Sequence, residues 1–228
     1  MIIRRSTEVL EELVAPRGKR IIDVGSGDGN VVRLLTRSGA RVTGIEVQPE
    51  QLAKARASER AFDEDYVEGT AEAMPLPDAL ADVVVFFNSL HHVPVPSMGR
   101  AMAEAARVLK PGGFVYVSEP VADGAFFDTI RMVDDETEVR ARAYEALTAA
   151  DQVGLRQLTE RFFLSPMVIK DFEALRERVV GADSKRKSLV DSLEAELRKN
   201  LERLGVKTKD GFRFEQPTRV NLLQRRPT

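Results

Sequence analysis

The segment Ile21-Ile22-Asp23-Val24-Gly25-Ser26-Gly27-Asp28-Gly29-Asn30 is built to hold a ligand. An apolar run carries one acid, and three glycines at alternate positions follow it, so the backbone can turn sharply and approach a bound molecule closely. Glu46 lies 21 positions after Gly25, at the end of a second β-branched run. A carboxylate at that distance is placed to accept hydrogen bonds from two ribose hydroxyls. Turn and acid together point to an adenosine-containing cofactor. A dinucleotide fold spaces its glycines G-x-G-x-x-G so that a helix N-terminus holds the pyrophosphate. Here the spacing is G-x-G-x-G, and Asn30 stands where the third glycine would fall. Asp23 would also repel a pyrophosphate that it faced, and it suits a cation better.

Four more polar residues carry candidate chemistry. Asn88 ends a run that is apolar on both faces, His91 and His92 follow it, and Glu119 lies just past another strand pattern. Histidine exchanges protons near neutrality, so the pair is a candidate general base, with His91 the stronger and loop capping the plainer alternative. Glu119 is a base or a cation partner, its bland alternative a solvated loop carboxylate. Adjacent histidines point in different directions and the chain has no cysteine, so no metal site is expected.

These residues need elements to position them. Strands are expected at Arg20 to Val24, Arg41 to Glu46, Asp65 to Glu68, Asp82 to Phe87 and Phe114 to Ser118, with helices near 6–15, 30–38, 49–60 and 97–110. Strands alternating with helices imply a parallel sheet with crossover helices. Residues 123–205 read differently, with no clear strand, many charges, and helical period over 126–133, 136–150, 168–180 and 184–204. Alternation returns at Gly211 to Glu215 and Arg219 to Gln224 around Pro217, which suggests a hairpin or paired edge. A single domain over 1–228 is therefore expected, with a core of 16–120 plus 206–228 and a helical insert or lid over 121–205. Phe126, Phe127, Arg131, Tyr144, Phe162 and Phe163 of that insert are candidates to hold a substrate, against a plainer use as core.

Asp23, Gly25, Gly27 and Gly29 match the first motif of class I methyltransferases that use S-adenosyl-L-methionine. Gly69 to Asp78, Val83 to Val93 and Arg107-Val108-Leu109-Lys110-Pro111-Gly112-Gly113 resemble the type 11 methyltransferase-domain family, so the resemblance covers residues 20–118. It implies an α/β, Rossmann-like, doubly wound and mostly parallel seven-stranded sheet, the insert preceding the last two strands. It also implies a cofactor site of Asp23, Gly25, Ser26, Gly27, Gly29, Glu46, Val47, Thr70, Ala71 and Asn88. In that site Val47 covers one adenine face, Ala71 lends its backbone to the adenine edge, and Thr70 replaces the usual aspartate. His91 and His92 then line the mouth of the active site, and Glu119 lies at the same sheet edge. The F-G-x-R-N of ubiquinone and menaquinone methyltransferases is replaced by Asn88-Ser89-Leu90-His91-His92, which counts against a quinone acceptor, and no N-P-P-Y motif stands at 87–90.

The implied reaction is methyl transfer to an oxygen, nitrogen or carbon of a small molecule by in-line displacement, leaving S-adenosyl-L-homocysteine. Two other readings stay open, a dinucleotide-linked oxidoreductase and a non-catalytic adenosylmethionine-binding protein. Composition narrows the partners. In 228 residues, 34 Lys and Arg stand against 36 Asp and Glu, a net charge of -2, which offers no global field for nucleic acid. Neither a membrane span nor a secretory signal is visible, and the absence of cysteine fits a cytoplasmic protein, expected as a monomer or homodimer.

Overall fold

The computed structural model describes residues 1–227. Along the chain run α1 (Ser6–Val14), β1 (Arg20–Val24), α2 (Asn30–Arg37), β2 (Arg41–Glu46), α3 (Pro49–Ala57), β3 (Asp65–Glu68), β4 (Ala81–Phe87), α4 (Met98–Val108) and β5 (Leu109–Pro120). They are followed by α5 (Ala125–Ile130), α6 (Thr137–Thr148), β6 (Leu155–Ile169), α7 (Phe172–Ala182), α8 (Lys187–Ser192), α9 (Glu194–Leu204), β7 (Val206–Thr208) and β8 (Gly211–Arg225).

The chain divides into two compact units. The larger takes Ser6–Glu119, Ala141–Arg161 and the chain from Arg219 onward. Its strands follow the order β3-β2-β1-β4-β5-β8-β6, and the pairings β3-β2, β2-β1, β1-β4 and β4-β5 are all parallel. The order reverses between β1 and β4, so the loops leaving these two strands open on either side of the crevice where ligands bind in such sheets. β1 and β4 are apolar on both faces because crossover helices cover both: Ile21, Ile22, Val83, Val84, Val85 and Phe86 are all buried. α4 lays Met98, Ala101, Met102, Ala105 and Val108 against the sheet at the spacing of one helical face. Arg225 reaches the Leu109 carbonyl and Gln224 the Gly112 carbonyl, while Arg219, six residues earlier in the strand, feels the charge of Glu119. β8 therefore runs antiparallel to β5 and brings Arg219 to the sheet's carboxyl edge.

The smaller unit takes Met1–Arg5, Pro120–Arg140 and Phe162–Thr218. Phe126, Ile130, Phe172, Leu175, Val179, Val190, Leu197, Leu201 and Phe214 form its core. Phe126 meets Phe214 edge to face with centroids 5.5 Å apart, and Arg198 stacks 4.0 Å over Phe172. The outward faces are held by ion pairs, Arg176 and Lys187 converging on Asp191 at 2.7 and 2.6 Å.

The α/β doubly wound class is as expected, and three details differ. The sheet has eight strands instead of seven, because β7 pairs antiparallel with β8. Residues 121–205 are not all helical, since β6 occupies fifteen of them. The expected break at Pro217 is absent, and β8 runs continuously through it. Residues 141–161 group with the larger unit and 206–218 with the smaller.

Candidate active site

Gly25, Gly27 and Gly29 all adopt left-handed backbone, with φ of 72°, 55° and 83°. Conformation alone therefore favours glycine at each, yet their surroundings differ. A methyl group on Gly25 would lie 2.7 Å from Cβ of Ser89, which follows β4, and one on Gly29 would lie 2.7 Å from a ring carbon of Tyr66 in β3. Gly27 meets nothing within 4 Å. The outer glycines are thus packing positions, and Gly27 is the one whose missing side chain leaves open space for a ligand. Two amides of the turn, Gly25 N–H and Ser26 N–H, donate to the Ile45 carbonyl at 2.8 and 3.0 Å and pin the turn to β2. Ser26 lays its buried hydroxyl toward Gly44, and the hydroxyl has no partner among the described residues.

Glu46 is buried at the end of β2 and its carboxylate accepts three backbone N–H groups, from Gly27 at 2.7 Å, Val47 at 3.0 Å and Gln48 at 2.8 Å. It is fixed in orientation against the glycine turn. Asp23 is equally buried but accepts no hydrogen bond among the described residues. Burial, and secondarily the nearby Glu46 charge, push its carboxyl up to about 7. Two carboxylates beside one turn, one locked and one uncompensated, favour a cationic over an anionic ligand there.

The remaining cofactor candidates occupy the loops after β2, β3 and β4. Val47 is exposed at 55%, beside the fixed Glu46. Thr70 pairs with Ala73 in an isolated bridge that holds Ala71 in a tight bend. Arg107 locks the rest of that loop, donating Nη1 to the Leu76 carbonyl and to Asp78, and Nη2 to the Met74 carbonyl, while Glu104 accepts the Met74 N–H at 2.8 Å. Arg107 appeared in the sequence only as part of a turn motif, and its role as the loop's anchor was not visible there. Asn88 is exposed with φ 55°, and its N–H donates to the Ser118 carbonyl at 2.8 Å.

Glu119 is not a solvated loop carboxylate: it is 2% exposed. One oxygen accepts the Leu90 N–H at 2.9 Å and the other bonds Nδ1 of His91. His91 is itself buried, whereas His92 is exposed, and the rings lie 4.0 Å apart. The loop after β4 thus presents one histidine oriented through Nδ1 by a carboxylate from β5. The aromatic candidates scatter. Phe126, Phe127 and Phe163 are core of the smaller unit, Phe162 is exposed, and Arg131 lies 5.7 Å from the Phe127 ring. Tyr144 alone joins the larger unit, under Arg219 at 3.8 Å.

Residues 22–117 match the family described as methyltransferase domain. Ubiquinone biosynthesis O-methyltransferase of Pectobacterium atrosepticum is 38% identical over 104 residues, 44% of this chain and 42% of that protein. The 27-O-demethylrifamycin SV methyltransferase of Amycolatopsis mediterranei is 37% identical over 127 residues, 51% of this chain and 46% of that one. The chain therefore spans less than half the length of these relatives. Among solved structures, the [4+2]-cyclase SpnF shares the fold with a TM-score of 0.64 and 23% identity, over 97% of this chain and 81% of that one.

Proposed function

We propose that the protein is an S-adenosyl-L-methionine-dependent methyltransferase acting on a small-molecule acceptor, with His91 as general base and Glu119 as the group that orients it. The carrying observation is the carboxylate pair at the glycine turn, Glu46 fixed by three amides and Asp23 buried without a partner. The residues fit the cofactor: Glu46 accepts from ribose hydroxyls, Asp23 and the turn around Gly27 receive the cationic methionine portion, Val47 and the Thr70–Ala71 bend flank the adenine, and Asn88 lies toward the methionine end. When bound, the cofactor supplies a methyl carbon activated on a sulfonium. The family match over residues 22–117 supports this reading, as do the methyltransferase names of both relatives.

The chain's own work is alignment and one proton. Positioning an acceptor in line with the methyl group removes up to roughly 7 to 11 kcal/mol of barrier, and a general base adds about 10² to 10⁴ in rate. Glu119 holds the His91 ring in one orientation, and the imidazole takes the acceptor's proton as the new bond forms. That step suits a hydroxyl acceptor, in keeping with two relatives named for O-methylation or O-demethylated substrates. His92, exposed beside it, lines the mouth. We place the protein in the cytoplasm. Among the described residues no helix is long and apolar enough to cross a membrane.

The same fold serves a cyclase, so fold alone does not assign turnover. Thermal unfolding with S-adenosylmethionine, S-adenosylhomocysteine and NADH separates the readings. At about 100 times the dissociation constant a ligand adds roughly 2.7 kcal/mol, a rise of several degrees. A rise with the adenosyl compounds alone is expected. A rise with NADH alone overturns the proposal in favour of an oxidoreductase, and adenosyl binding without methylation of any acceptor in a broad panel selects a binding protein.

A further inference from the structure

Resting on that methyl-transfer reading, we propose that Arg219 is the subsite for a carboxylate on the acceptor, so that the substrate is a small organic anion presenting its methylated group to His91.

The argument begins with where β8 places the residue. Running antiparallel to β5, β8 sets Arg219 at the same sheet edge as Glu119, which holds His91. An arginine here is held unusually firmly. Its Nε donates to Asn221 Oδ1 at 3.0 Å, and Asn221, only 1% exposed, is itself anchored through Nδ2 to Gln157 at 3.1 Å and Glu160 at 3.0 Å. The guanidinium plane stacks 3.8 Å over Tyr144. Stacking and the Nε tether leave the side chain little rotational freedom, so little is lost when it binds.

The other end of the fork is open. Nη1 and Nη2 make no hydrogen bond, and no carboxylate lies within ion-pair distance, among the described residues. The neighbouring acids are occupied: Glu119 by Leu90 N–H and His91, Glu160 by Asn221. Their charges attract Arg219 without touching it, and burial drives the guanidinium's pKa below its usual value. A desolvated cation with two parallel donors unused is the geometry that takes a carboxylate bidentately. Arg219 remains part-exposed, so the fork is reachable.

Titration calorimetry tests this with hydroxy- and amino-carboxylates (3,4-dihydroxybenzoate, 4-hydroxybenzoate, salicylate, lactate, glycine), each against its methyl ester. The protein is loaded with S-adenosylhomocysteine. At least one carboxylate should bind ten-fold or more tighter than its ester. Arg219→Gln should erase that preference, a loss of about 10- to 100-fold for a charge-assisted pair, and Arg219→Lys should recover part of it. Unchanged S-adenosylhomocysteine affinity in each variant certifies the fold, and Arg219→Lys carries the comparison if R219Q does not fold. No carboxylate outbinding its ester, or a preference that survives in R219Q, overturns the proposal. Wild-type protein that binds no adenosyl compound defeats the cofactor reading instead, and the same titrations without it then decide Arg219.

Discussion

The two sides of the candidate site are made of different material. On the cofactor side the contacts come from backbone: three left-handed glycines, amides that pin the turn to β2, and a carboxylate held by three N–H groups, all within residues 23–48. On the proposed acceptor side they come from side chains far apart in sequence, His91, Glu119, Tyr144, Glu160 and Arg219, which only the strand order assembles. A site made of backbone constrains residue type locally, whereas one made of side chains constrains the fold. Changes on the first side should therefore appear in cofactor affinity and stability, and changes on the second in turnover and acceptor choice.

The largest expected effect lies on the acceptor side. His91→Ala should lower kcat by about 10² to 10⁴ and leave S-adenosylhomocysteine affinity unchanged. Glu119→Gln should lose part of the same factor, because the ring keeps its place but not its fixed tautomer. Rate against pH, with kcat and KM separated, checks both. An unchanged kcat in His91→Ala would leave positioning as the whole of catalysis here.

Next in size is a pH effect confined to the cofactor side. Asp23 is pushed from 3.8 to about 7 by burial and by Glu46, so between roughly pH 4 and 7 the folded protein keeps a proton that the unfolded chain has lost. Stability should then fall with rising pH across that window, by on the order of 4 kcal/mol in total, and level off above it. Asp23→Asn should flatten the curve, and urea unfolding at several pH values reads it. A cationic ligand reverses the sign: it favours the ionised carboxylate, so S-adenosylmethionine affinity should rise with pH up to about 7 in wild type and not in Asp23→Asn.

Gly27→Ala sharpens the comparison within the turn itself. Its methyl group meets no protein atom, so the stability cost is the left-handed conformation alone, about 1 to 2 kcal/mol. The methyl group does enter the ligand's space, and affinity for S-adenosylhomocysteine should fall by about 100-fold. Gly29→Ala strikes the Tyr66 ring and should lose more stability than Gly27→Ala. Equal affinity losses scaling only with melting temperature would make Gly27 a structural glycine like the other two.

The same contrast governs what could be read from the chain. β1, β2, β3 and their helices match the sequence reading almost to the residue, because buried parallel strands are continuous apolar runs and glycine marks the turns. β6 went unread: Leu155–Ile169 buries only its ends and Phe163 among four charged or amide side chains, two hydroxyls and Pro166, so it shows neither strand alternation nor a helical stripe. Pro217 looked like a break for the opposite reason. Its missing N–H forbids one ladder bond, yet β8 passes through it with the Pro217 carbonyl still accepting from Val121 and Gln216. Glu119 was legible as a position and not as an environment, since its burial comes from a loop 28 residues upstream. Arg219 carried no signal at all, because its partners lie 75 residues back in the chain or two residues on.

The smallest expected effect tests whether the backbone side is rigid by itself. Arg107 makes five hydrogen bonds to the Met74–Asp78 loop and Glu104, all to groups that flank the Ala71 bend without reaching the site. Arg107→Ala leaves two loop carbonyls and one Glu104 oxygen without their donor, worth about 1 to 3 kcal/mol of stability. If the bend depends on that clamp, S-adenosylhomocysteine affinity should fall about ten-fold while the carboxylate-over-ester preference at Arg219 stays as it was. If affinity holds while stability drops, the Thr70–Ala73 bridge keeps the bend by itself, and cofactor binding is more local than the clamp implies. A change in acceptor preference would instead couple the two sides, and the division between a backbone-made half and a side-chain-made half would fail.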